Sequence, residues 1–292
     1  MAPRPRQLLI AAAGCAVGFA GLLAAVYLSW GVRVLDATAM DGFLDVQRPW
    51  LAGLTERLAQ LGDPEAVGLL GLALAAIALA RGRPRHAAAV IFLLAVTSVS
   101  SQLLKAIIDY PRHEALLSVA EVKAAALPSG HATAAMTLAL CGVLVAPARL
   151  RPPVALAGAI FALAVSYSVV SLGWHFPSDV AAGFLVATGW TLAAIAALQV
   201  AGRRWPERTV RAGARAALER ATDRAAETGL AATLAAAALV GVALLAAVVA
   251  FRLPELVGWA ATRTTTVAVA GGLAACAAML LGGVTATLLR RR

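Results

Sequence analysis

The chain has 292 residues, of which 61% are hydrophobic, and its mean hydropathy is +0.82. Soluble domains are only about half apolar, so this composition excludes an ordinary soluble enzyme and predicts a membrane protein. The formal net charge is +10, but basic loops mark the cytoplasmic side of membrane proteins. The positive charge therefore needs no nucleic-acid partner.

Eight apolar runs approach the roughly 20 residues that a helix needs to cross a bilayer. They predict an all-α, polytopic integral membrane helical bundle with a six-span core and two further C-terminal transmembrane helices. The runs are residues 8–30, 64–81, 87–108, 130–148, 153–173, 179–200, 229–251 and 264–289.

We divide the chain into three parts: the core at 1–200, a basic linker at 201–228 and a C-terminal two-span hairpin at 229–292. Arginines recur through the linker between small apolar residues, which favours an amphipathic helix on anionic lipid. A charged, solvated helix is the alternative. The glycine pairs of the last span suit close helix packing. Packing within the chain, homo-oligomerisation and contact with a partner are all open for the last two spans.

Basic residues are concentrated in the segments between alternate spans. The N-terminus, 81–86, 149–151, 201–228 and the C-terminal tail hold 17 of the 25 basic residues but only four of the 15 acidic ones. The positive-inside rule then places both termini in the cytoplasm of a plasma-membrane protein. Residues 31–63 become an external loop, either a solvated connector or an interfacial helix.

Two histidines follow turns at the predicted external face. His131 ends the sequence Pro128-Ser-Gly-His131, where Ser129 can cap the helix that follows. His175 precedes Asp179 by four residues, one helical turn, so the carboxylate can reach the imidazole. A carboxylate on one ring nitrogen fixes the tautomer and leaves the other nitrogen free for chemistry.

Two cations, seven residues apart, lie on the same predicted face. Lys105 and Arg112 can neutralise phosphate oxygens, and Ser129 and Gly130 offer a helix N-terminus for the same group. Such a site predicts in-line attack on phosphorus by one histidine, while the other protonates the leaving oxygen and later activates water. The sequence holds no carboxylate cluster for a metal, so we expect neither a metal nor a cofactor.

These segments resemble the signature of the type 2 phosphatidic acid phosphatase (PAP2) family: KxxxxxxRP, then PSGH, then SRxxxxxHxxxD. The resemblance is close over residues 87–200 and extends over 1–200 as a six-span core. It implies a metal-independent phosphatase or diphosphatase acting on membrane lipid phosphates at the outer face. In this resemblance the nucleophile is His175, its partner Asp179 and the general acid His131, and the phosphate cradle is Lys105, Arg112, Ser129 and Gly130.

Two positions depart from the signature. His113 stands where a proline follows the arginine, and Val169 stands where the third motif has a phosphate-binding arginine. Loss of such a charge-assisted contact costs about 1.5–3 kcal/mol. Arg33, Arg48 and Arg263, all in predicted external loops, are candidates to replace the missing cation.

Because the nucleophile, its partner and the acid remain, we predict a working lipid phosphatase. The candidate substrates are polyprenyl diphosphate, phosphatidic acid and phosphatidylglycerol phosphate. Val169 keeps a second hypothesis open, a catalytically weakened protein that binds, carries or senses lipid phosphates. Phosphotransfer from His175 to a hydroxyl acceptor is a third. The cysteines Cys15, Cys141 and Cys276 lie in apolar runs and are predicted to be inert.

Overall fold

The computed structural model describes residues 3–45, 49–108, 126–205 and 257–290. Within these ranges the chain forms helices and no strand, which confirms the all-α prediction. The bounded helices are α1 (Pro5–Leu28), α2 (Trp30–Asp45), α3 (Pro49–Gln60), α4 (Pro64–Ala80), α5 (Pro84–Ile108), α6 (Gly130–Val145), α7 (Arg151–Ser171), α8 (Pro177–Arg204) and α9 (Thr264–Leu289).

Prolines mark the starts of several helices. Helix α1 begins at Pro5, α4 at Pro64 and α8 at Pro177. The first turn of a helix has no intrahelical acceptor for its N–H groups, so a residue without an N–H is well placed there. These prolines fix where the apolar runs begin.

Within the described ranges five helices, α1, α5, α7, α8 and α9, are long and apolar enough to cross a membrane. Residues Ala52–Gln60 of α3 and helix α4 together would form a sixth span that is bent by 53°. A multi-pass membrane protein is therefore confirmed. The fourth predicted span is shorter than expected, because α6 has 16 residues, and the seventh, 229–251, lies outside the described residues.

Helix α6 is the centre of the bundle. Twelve of its 16 residues are buried, and it packs against α4, α5, α7 and α8. Large apolar side chains on the outside of the bundle, such as Leu72, Ile107 and Leu156, are exposed and can face lipid. The helix that begins at the Pro-Ser-Gly-His turn is thus the most enclosed one.

The region between α1 and α4 is not a solvated connector, so that interpretation of residues 31–63 is wrong. It forms α2 and α3, and α2 buries Asp36, Ala37, Met40 and Phe43 against the bundle. Polar and apolar residues are mixed along α2 because one face of this helix is buried and the other is exposed.

Helix α9 packs on the core rather than standing apart from it. The Tyr167 hydroxyl of α7 donates to the Ala270 carbonyl at 2.6 Å, and Arg151 Nη1 donates to the Leu288 carbonyl at 2.8 Å. Because these bonds join opposite ends of the two helices, α7 and α9 run antiparallel. No heavy atom of the described chain lies within 4 Å of an added Cβ at Gly271, Gly272, Gly282 or Gly283.

The two ends of the bundle differ in charge. At one end Arg83 donates to the Val145 carbonyl and Arg85 to the Trp205 carbonyl. At the other end lie both histidine motifs and the Asp45–Arg263 ion pair. Basic helix ends and the histidine site are therefore separated by the length of the bundle.

Candidate active site

The turn before α6 is tied to the first turn of α8. The Ser129 hydroxyl caps α6, accepting a hydrogen bond from the Ala132 N–H at 3.3 Å, as the sequence predicts. The Ser129 N–H donates to the Asp179 carbonyl at 3.0 Å. This backbone contact brings two motifs that are far apart in sequence to the same place.

His175 sits in the short connection from α7 to α8. Gly173, with φ of 76°, ends α7 in a left-handed conformation that side chains disfavour, and α8 begins two residues after His175. Asp179 Oδ2 accepts from the Phe176 N–H at 2.9 Å and lies 3.5 Å from His175 Nδ1. Asp179 is fully buried, so its carboxylate is held beside the imidazole by the helix start itself.

The two histidine rings are close neighbours. Their centroids are 6.3 Å apart and their planes meet at 61°. Reacting atoms in a near-attack arrangement are about 3–3.5 Å apart, so a phosphoryl group placed between the rings can reach both. The Trp174 ring lies 5.6 Å from the His131 ring.

A cavity of about 240 Å³ opens beside His131. Lys105, Gly130 and Ser101 line it. A Cβ on Gly130 would lie 3.6 Å from Lys105 Nζ, so the glycine leaves room between the lysine and the helix N-terminus, where an anion is favoured. The Ser101 hydroxyl is buried without a hydrogen-bond partner in the described chain, which leaves it available to a ligand.

Among the predicted site residues, the structure brings together His175, Asp179, His131, Ser129, Gly130 and Lys105. Arg112 and His113 lie outside the described residues. No three His, Cys, Asp or Glu side chains of the described ranges cluster as metal ligands.

Val169 is completely buried in the last turn of α7, where its carbonyl accepts from the Trp174 N–H at 2.9 Å. The position therefore lies directly beneath the His175 turn. Of the proposed replacement cations, Arg263 is paired with Asp45, and the Arg33 guanidinium lies 5.5 Å from the Trp30 ring centroid. Arg48 lies outside the described residues.

The same Arg263 acts on a neighbouring carboxyl of α2. Burial raises the pKa of Asp41, the charge of Asp45 raises it further, and Arg263 opposes the rise. Arg263 thus balances two acidic groups, which makes it a poor substitute for the missing phosphate-binding arginine.

Two acidic residues near the site carry no recognisable sequence signal. Asp36 of α2 accepts from the Ser178 N–H at 3.0 Å and from the Ser178 hydroxyl at 2.5 Å. Asp63, between α3 and α4, contacts His131 Nε2 at 3.0 Å. Both contacts are long-range, and neither acid belongs to a motif.

We expect Asp36→Ala to destabilise the protein by about 1–3 kcal/mol, because it leaves a buried N–H in the first turn of α8 without its acceptor. Asp36→Asn, which keeps an acceptor oxygen, should lose less. Thermal unfolding in detergent measures both, with the exposed Thr38→Ala on the same helix as control. Equal stability of all three variants would contradict a capping role for Asp36.

A buried His–Asp pair, a second histidine, a lysine and a helix N-terminus lie together at one end of an apolar bundle, a combination that suits a phosphate ester. Residues 69–205 match the family model of the PAP2 superfamily, which confirms the resemblance. This segment of the chain is thus similar to the PAP2 phosphatases, and the match supports a phosphoric ester hydrolase.

A solved structure agrees on the fold. The chain is similar to the crystal structure of the first transmembrane PAP2 type phosphatidylglycerolphosphate phosphatase from Bacillus subtilis, with 21% identity and a TM-score of 0.55. The match covers 68% of this chain and 98% of that one. None of the curated proteins compared with the chain matches it.

Proposed function

We propose that the protein hydrolyses a phosphate or diphosphate ester of a membrane lipid, without a metal, at the outer face of the plasma membrane. The observation that carries this proposal is the pair of histidine rings 6.3 Å apart beside a cavity lined by Lys105 and Gly130. The site lies at the end of membrane-spanning helices, where a lipid headgroup sits.

The reaction has two steps in this proposal. His175, oriented by Asp179, attacks phosphorus through its free ring nitrogen, and the bond to the leaving oxygen breaks as that oxygen takes a proton from His131. Neutral His131 then takes a proton from the water that attacks phospho-His175, which releases phosphate. Lys105, Arg112, Ser129 and Gly130 bind the phosphoryl oxygens throughout, so that charge stabilisation and positioning supply the catalysis.

Topology and organisation belong to the same proposal. The basic end of the bundle faces the cytoplasm with both termini, and residues 1–200 form the catalytic core. In this proposal residues 201–228 form an amphipathic linker on the inner leaflet and 229–292 add two spans. Residues 206–256 lie outside the described residues. The substrate enters from the outer leaflet, so the partners are the bilayer and its lipid phosphates.

The test is phosphate release by the purified protein in detergent with a chelator present. The substrates are polyprenyl diphosphate, phosphatidic acid and phosphatidylglycerol phosphate, the last also because the similar solved protein is a phosphatidylglycerolphosphate phosphatase. We expect release from at least one, unchanged by the chelator. Failure on all three, or activity that the chelator removes, would overturn the proposal.

The alternative is a weakened protein that binds, carries or senses lipid phosphates, and the buried Val169 favours it. It predicts a silent wild type that still binds lipid phosphate with an affinity that Lys105→Ala lowers. Phosphate release that appears only in Val169→Arg would then identify the missing arginine as decisive. Thermal unfolding of that variant checks that the larger side chain is accommodated.

A further inference from the structure

Asp63 lies in the turn where the α3–α4 pair is bent. Backbone bonds from Gly62 N to the Ala59 carbonyl at 2.8 Å and from Asp63 N to the Gln60 carbonyl at 3.1 Å hold this turn. The turn is in close contact with His131, because a Cβ on Gly62 would lie only 2.9 Å from His131 Cδ2. The absence of a side chain at position 62 lets the imidazole approach the turn.

The carboxylate of Asp63 does not cap helix α4. Asp63 is the N-cap residue of α4, a position where aspartate commonly accepts from the backbone N–H groups of the first turn. Its side chain makes no such bond and instead lies 3.0 Å from His131 Nε2. Helix capping therefore does not explain the orientation of this carboxylate.

The contact with Asp63 indicates which ring nitrogen of His131 carries the hydrogen. An ionised carboxylate only accepts hydrogen bonds, so Nε2 carries the hydrogen and Nδ1 remains for the substrate. The side chains of Asp63 and His131 are 41% and 23% exposed, which leaves the pair at the open side of the cavity. Among the described residues, Lys105 and His175 also act electrostatically on this ring.

We infer that Asp63 is a positioning residue for His131, so that the site holds two His–Asp pairs, one for the nucleophile and one for the general acid. This inference rests on the proposed function. As the bond from phosphorus to the leaving oxygen breaks, His131 gives its Nδ1 proton to that oxygen. Asp63 stays ionised and keeps the Nε2–H bond, which stabilises the imidazolium before transfer and the correct tautomer afterwards.

A leaving-group comparison separates this role from a structural one. An alkyl ester leaves as a strongly basic alkoxide and needs the proton, whereas a nitrophenolate leaves without it. The kcat/KM value reports the steps up to formation of phospho-His175. We compare an alkyl phosphate with a nitrophenyl phosphate that bears the same alkyl chain, so that membrane partitioning is matched.

For Asp63→Ala we expect kcat/KM on the alkyl ester to fall about 100-fold, the usual scale of general acid catalysis, with little change on the nitrophenyl ester. Asp63→Asn keeps the shape and an acceptor oxygen, so kcat/KM on the alkyl ester should fall less than in Asp63→Ala. The nitrophenyl ester should again be little affected. Gly62→Ala, which displaces the His131 ring without removing the carboxylate, should show the same selectivity. The control Glu65→Gln removes a nearby exposed charge in α4 and should change kcat/KM on neither ester.

Losses that are equal on the two esters in Asp63→Asn and Asp63→Ala would overturn the inference and leave Asp63 a structural role only. Unchanged kinetics in both variants would overturn it as well. A wild type that is silent on both esters would instead overturn the proposed function, and the inference with it. The wild-type arm therefore distinguishes the two failures.

Discussion

Replacement of His175 by alanine is expected to abolish phosphate release, whereas replacement of His131 is expected to leave a phosphorylated protein behind. Without the His175 ring no covalent intermediate can form, and loss of a covalent nucleophile costs about 10⁶-fold in a site whose residues act as a unit. His131→Ala keeps the nucleophile. With a nitrophenyl ester, which needs no proton, phospho-His175 should still form.

Turnover in His131→Ala should then stop at the second step, because the attacking water has lost its base. General base catalysis is worth about 10²–10⁴-fold, enough for the phosphoprotein to accumulate. Rapid quench with radiolabelled nitrophenyl phosphate, followed by gel analysis at alkaline pH, measures the amount of phosphoprotein directly.

His86→Ala is the matched control. This histidine contacts Arg83 at the basic end of the bundle, far from the site, so activity should be kept. Label on the His175→Ala protein would identify another nucleophile and refute the assigned role. Absence of label on every variant, in spite of wild-type turnover, would favour direct attack by water.

The sequence predicts the parts of the site that are local. Ser129 stands where a cap is needed. The short spacing of His175 and Asp179 predicts their contact, although His175 lies in the turn before α8 and not one turn along the same helix. The apolar runs likewise predict most spans, since length and hydropathy decide which helices can cross a bilayer. These features require no knowledge of which helix neighbours which.

The contacts that hold the site together are not local, and sequence reasoning missed them. Asp36 and Ser178 are 142 residues apart, and Asp63 and His131 are 68 apart. Each acid lies in residues 31–63, the segment that the sequence predicts as a loop. The segment resembles a loop because a short helix with one buried face is less apolar than a membrane span. Tertiary packing turns those polar positions inward, and only the fold reveals which groups they meet.

Gly183→Ala is expected to be the most disruptive small substitution in the core. A Cβ there would lie 2.9 Å from the Ser129 carbonyl oxygen and 3.0 Å from the Thr133 N. Both are backbone atoms of the α6 start, so a rotamer change cannot relieve the clash, and α6 must move away from α8. Overpacking of this kind costs about 1–3 kcal/mol.

The same displacement lengthens the bond from Ser129 N to the Asp179 carbonyl, the contact that aligns the two histidine motifs. Because a misplacement of about 1 Å can cost about 100-fold in rate, we expect kcat/KM to fall by that order while much of the protein still folds. Thermal unfolding and phosphate release on one preparation measure both effects.

Gly202→Ala is the control on the same helix, since no heavy atom of the described residues, apart from the adjoining backbone of α8, lies within 4 Å of the added Cβ. It should be neutral or slightly stabilising, because alanine favours a helix over glycine. If Gly183→Ala matched this control in stability and in rate, α6 and α8 would not be in close contact at this point. The two histidines would then owe their alignment to α2 and to the α3–α4 turn, which supply Asp36 and Asp63, rather than to the packing of the core.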